Sequence, residues 1–109
     1  MIPTGLEMAS RFSKIFRNAG IAVVASTGNR ALDPDYEKKI GSPACFSKAI
    51  AVGSTSLYVG NEPDDLMSGF SQHASMVDLL APGGETPNAS KGVLAGVPSS
   101  RTVRMAGTS

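Results

Sequence analysis

The sequence predicts an α/β fold with one long helix, about three parallel strands and a closing β-hairpin. Three observations carry this. Residues 6–19 repeat apolar side chains at the helical spacing of three and four. A wholly apolar, β-branched run follows at residues 21–25, with further short apolar runs separated by polar connections. The last two runs, 92–97 and 102–105, lie close enough to fold back on each other.

In the helix, Met8, Ala9, Phe12, Ile15, Phe16 and Ala19 form the apolar stripe, with Glu7, Arg11, Ser13, Lys14 and Arg17 largely opposite. Thr4 and Glu7 have the spacing of a capping box. Gly20 supplies a left-handed stop. The run 21–25 reads as a strand buried on both faces, the habit of parallel sheets covered by helices. Ser26-Thr27-Gly28-Asn29 forms the turn at its carboxyl end, where ligands and chemistry collect in open α/β sheets. Residues 30–42 are polar and loop-like. Residues 49–53 and 76–81 read as the second and third strands, the latter stopped by Pro82-Gly83-Gly84. Little in the sequence offers to cover the first strand, so its uncovered edge is expected to pair with a second copy, making a homo-oligomer.

Composition narrows the function. With 109 residues, one domain is expected over 1–109, and 41% hydrophobic residues allow a sizeable core. The formal charge is +1 and the basic residues are scattered, so neither nucleic acid nor an anionic membrane is an expected partner. The longest apolar run is far below the ~20 residues that span a bilayer, and Pro3, Glu7 and Arg11 interrupt any signal-peptide pattern. One cysteine, Cys45, forms no internal disulfide and reads as a small buried hydrophobe. One histidine and one cysteine make an ordinary zinc site unexpected. Asp33, Asp35, Glu37, Asp64 and Asp65 lack the spacing of a calcium loop. No cofactor and no metal are expected. Asn88-Ala89-Ser90 is a glycosylation sequon.

Four segments occur in one order: "GIAVVASTGN", "GSPACFSKAIAVGS", "GFSQHASMVDLLAPGG" and "RMAGTS". Together, from about residue 3 to 109, they resemble the carboxyl-terminal part of the catalytic domain of subtilisin-like serine proteases. The resemblance implies a partial subtilisin-like three-layer fold and peptide-bond hydrolysis through a serine acyl-enzyme. Ser109 matches the nucleophile, at the start of a buried helix. Asn29 matches the asparagine whose amide donates to the oxyanion, where a preorganised donor is worth roughly 10²–10³ in rate. Ser26, Thr27 and Gly28 match one wall of the pocket for the substrate side chain, and Gly41 its floor. Ser42-Pro43 matches a peptide bond that is often cis. The family's aspartate and histidine motifs lie amino-terminal to this region and are absent from these residues. His73, within "FSQHAS", matches a surface turn and not the catalytic base.

The expectation is therefore an incomplete domain, inactive alone, whose substrate is polypeptide and whose parent is secreted or extracellular by resemblance. Two rivals stand beside it: a non-catalytic, protease-derived peptide-binding or self-associating module, and an unrelated nucleotide-binding α/β domain. The second lacks the Gly-Lys-Ser/Thr ending of a phosphate loop.

Overall fold

In the computed structural model the described residues are 4–56, 66–85 and 92–108. The helix α1 spans Gly5–Asn18. Its start is the expected capping box: Glu7 N–H donates to Thr4 Oγ1 at 3.2 Å, and Thr4 N–H donates to Glu7 Oε2 at 2.9 Å. Its end is a Schellman motif around Gly20 at φ +77°. Gly20 N–H donates to Arg17 O at 3.0 Å and Ile21 N–H to Phe16 O at 2.8 Å. The reverse turn is complete before the strand begins.

Three parallel strands follow, β1 (Val24–Ser26), β2 (Ile50–Thr55) and β3 (Leu79–Pro82), in the order β1-β2-β3. An antiparallel hairpin, β4 (Val93–Val97) with β5 (Arg101–Met105), forms a second sheet. The fold class is the one the sequence predicts. The boundaries move because pairing, not apolar run length, ends a strand. Val24 is the first β1 residue opposite a β2 partner, Ile50. At the start of β3, Asp78 Oδ2 accepts the Ala51 N–H at 2.8 Å, so a side chain takes the bond that a ladder carbonyl would accept. The loop at 30–42 contains one short 3-10 turn, Pro34–Tyr36, capped by Asp33.

The first strand was expected to be buried on both faces, and it is buried on one. Ala25 and Ala51 pack with Ala44, and Ile40 lies against them. On the opposite face Val24 is 64% exposed, and Leu79, on the far side of β2, is exposed as well. Over Val24 that face is an open groove shared with Ser26, Val52, Pro43 and Thr108; the hairpin residues Val93 and Met105 border it farther on, with Val52 and Ala81, and α1 shares a groove with Val23 and Pro43 on the covered side. The core is correspondingly small, consisting of Ala25, Ala44, Ala49, Ala51 and Phe70. Cys45 is half-buried, not the buried hydrophobe expected, because the turn at 43–49 keeps its side chain near the rim.

Ser54, Ser68 and Ser71 are buried in a hydroxyl network at the carboxyl end of β2. Ser71 Oγ accepts from Ser54 N–H at 2.9 Å, Ser54 and Ser68 hydroxyls lie 2.7 Å apart, and Ser68 donates to Gly84 O. These bonds seat the segments 68–72 and 83–84 over the ends of the strands.

Candidate active site

The turn after β1 is where the predicted residues converge. Ser26 ends the strand opposite Val52. Thr27 is fully buried; its N–H donates to Val52 O at 3.0 Å and its carbonyl accepts from Gly41 N–H at 2.9 Å. Its hydroxyl is buried without a hydrogen-bond partner among the described residues. Gly41 therefore stands beside the 26–28 segment. Ser42-Pro43 is cis.

Asn29 is exposed at the end of this turn and reaches across the chain. Its Oδ1 accepts from Thr108 N–H at 2.9 Å and from the Thr108 hydroxyl at 2.8 Å. The same hydroxyl accepts from Gly28 N–H at 3.2 Å. An amide has one accepting and one donating end. With Oδ1 held by two donors, the NH₂ end turns away from Thr108 and has no partner among the described residues. Ser109 itself, the residue after Thr108, lies outside the described residues, as do Asp64, Asp65 and the Asn88 sequon.

A second clamp holds the turn from the other side. Gln72 is 4% exposed. Its N–H donates to Gly28 O at 2.9 Å, its Oε1 accepts from Arg30 N–H at 3.2 Å, and its Nε2 donates to Lys39 O at 3.1 Å. Gly28 has φ +112°, and a Cβ there would sit 2.1 Å from Gln72 Oε1. The turn thus needs glycine twice, for its backbone and for the close approach. The "FSQHAS" stretch is not wholly a surface turn: Ser71 and Gln72 are buried, and His73 alone of the three following Phe70 is exposed. Apolar-period patterns do not reveal a buried amide, because its value lies in partners at 28, 30 and 39.

The segment 106–108 is set by β3. Gly107 N–H donates to Gly83 O at 3.0 Å, and Gly83 and Gly84 N–H groups both donate to Thr55 O. Beside Thr108 an open groove of about 460 Å³ is lined by Val24, Ser26, Pro43 and Val52. Arg30, next to Asn29, is occupied with its own neighbours: it pairs with Asp33 at 3.2 Å and stacks 4.0 Å over the Tyr36 ring. Among the described residues no group of three or more His, Cys, Asp or Glu could hold a metal ion, and no helix is long and apolar enough to cross a membrane.

Comparison with known proteins gives a consistent result. A sequence model described as the subtilase family matches residues 5–109. Thermitase from Thermoactinomyces vulgaris is 38% identical over 81 residues, which is 73% of this chain and 24% of thermitase. Among solved structures, the PatG macrocyclase in complex with peptide has a TM-score of 0.71 at 23% identity, covering 96% of this chain and 28% of that one. The epidermin leader peptide processing serine protease EpiP from Staphylococcus aureus also has a TM-score of 0.71, at 20% identity, covering 94% of this chain and 30% of that one. Both structural likenesses show the fold. The chain spans about a quarter of the length of the curated relative it matches.

Proposed function

Because the chain belongs to the subtilase family, we propose that it forms the part of a serine endopeptidase that carries the nucleophile and one oxyanion donor. Ser109 Oγ attacks the carbonyl carbon of a peptide bond. A histidine outside these 109 residues takes the hydroxyl proton and returns it to the leaving amine, and an aspartate outside them orients that histidine. Water then hydrolyses the acyl-enzyme. The Asn29 NH₂ donates to the carbonyl oxygen as it becomes negative. Ser26, Thr27, Gly28 and Gly41 line the pocket for the substrate side chain, and polypeptide is the substrate.

The observation that carries this reading is the pair of bonds from Thr108 to Asn29 Oδ1. They bring the turn after β1 against the residue before Ser109, from 79 positions away, and leave the donating end of the amide free. The test is labelling by a fluorophosphonate, read by intact mass with Ser109→Ala as control. The 109-residue chain is expected to stay unlabelled, since a serine without its base is a weak nucleophile and its one histidine, His73, is exposed on a turn. The full-length protease is expected to label, and Ser109→Ala to abolish it. Labelling of the isolated chain that vanishes in Ser109→Ala would overturn the inactive-alone reading, and a full-length protein that never labels would overturn the endopeptidase reading.

One observation favours self-association of the isolated chain. On the sheet face away from Ala25, Val24 is 64% exposed and Leu79 58% exposed. Association through this face covers both side chains, and light scattering against concentration reads it.

A further inference from the structure

We propose that Gln72 is a positioning residue for the oxyanion donor: it fixes the two peptide units that flank Asn29 and so sets where the Asn29 amide points. This rests on the reading of Asn29 given above.

Gln72 bonds to both neighbours of Asn29, through its own N–H to Gly28 O and through Oε1 to Arg30 N–H. Ala31 N–H donates to Phe70 O at 3.1 Å, so the whole turn 28–31 is laid along the segment 70–72. The third bond, Nε2 to Lys39 O at 3.1 Å, fixes the far end of the amide. With the side chain 4% exposed, water cannot replace these bonds at little cost.

The chemistry selects an amide. One end must accept from the Arg30 N–H and the other must donate to the Lys39 carbonyl, and an uncharged carboxamide does both at once. Glutamate keeps the acceptor and turns a carboxylate oxygen on the Lys39 carbonyl. Methionine keeps the length and offers neither bond. Thr108 holds the Asn29 side chain, and Gln72 holds the Asn29 backbone. A donor preorganised in this way costs no rearrangement as the oxyanion forms, and displacement by about 1 Å is enough to lose on the order of 10² in rate.

The experiment is a double-mutant cycle in the full-length protease, with rates per fluorophosphonate-titrated active site so that misfolded enzyme does not count. Gln72→Met is expected to lower kcat by about 10-fold or more, with KM within about twofold. Gln72→Glu is expected to fall between Met and Gln. In an Asn29→Ala background, Gln72→Met is expected to change kcat by less than about twofold, because the donor it positions is gone. An equal loss in both backgrounds, an unchanged kcat in Gln72→Met, or no titratable sites in either Gln72 variant overturns the proposal. A normal kcat in Asn29→Ala alone refutes the oxyanion reading itself, and the same cycle shows which of the two has failed.

Discussion

Replacing Gly83 by alanine tests whether the turn at 106–108 is held by the end of the sheet rather than by its own sequence. Gly83 has an ordinary backbone conformation, so alanine brings no φ strain there. It brings a Cβ 2.2 Å from the Gly107 carbonyl oxygen and 2.2 Å from Ser54 Oγ. Ordinary contact needs about 3.5 Å, so the 107 backbone must withdraw by about 1 Å. That breaks the bond from Gly107 N–H to Gly83 O, 3.0 Å in the native chain, and draws Thr108 away from Asn29. Overpacking costs about 1–3 kcal/mol and the bond about 1 kcal/mol, so local destabilisation is about 2–4 kcal/mol. At 1.4 kcal/mol per tenfold, hydrogen exchange of the Gly107 and Thr108 amides should accelerate about 30- to 700-fold. Exchange is read by NMR, with the β4–β5 ladder amides of the same sample as reference. Native exchange at both amides, with the hairpin still protected, would refute the contact between β3 and the 106–108 segment.

Two smaller tests address the rest of the fold. Thr4→Ala removes the acceptor for Glu7 N–H and should cost about 1 kcal/mol of helix stability, read as lost helical circular dichroism on warming; an unchanged melt would mean α1 is held by other contacts. Light scattering of the isolated chain at tens of micromolar should report a dimer or larger species, and a clean monomer there would refute association through the face around Val24 and Leu79.

The local devices were legible in the sequence. Thr4 and Glu7 announced a capping box, Gly20 a left-handed stop, and residues 92–105 a hairpin, because each is written within a few positions. The order of four motifs singled out Asn29 by resemblance, and the structure places Thr108 on its side chain. What was not legible depends on partners far along the chain. Strand β1 begins at Val24 because Ile50 stands opposite, and β3 pairs only from Leu79 because the Asp78 side chain takes the Ala51 N–H. Ser54, Ser68, Ser71 and Gln72 carry no apolar period, yet they are buried, the serines because they bond to one another and to Gly84, Gln72 because it bonds to backbone at 28, 30 and 39. Among the described residues the sizeable core allowed by composition is a small cluster of Ala25, Ala44 and Ala51 with Ile40 against it, while Phe12, Ile15, Leu79 and Met105 stay exposed.

The bonds between Asn29 and Thr108 also set an order of events on the ribosome. Closing a loop of 79 positions costs about 4 kcal/mol of chain entropy, so these contacts form after the short-range helix cap and hairpin. At about 5–20 residues per second, the asparagine leaves the ribosome roughly 4–16 s before the threonine that holds it. A nascent chain therefore carries an unheld Asn29 side chain throughout that interval, and the contact closes only once the segment around Thr108 has emerged.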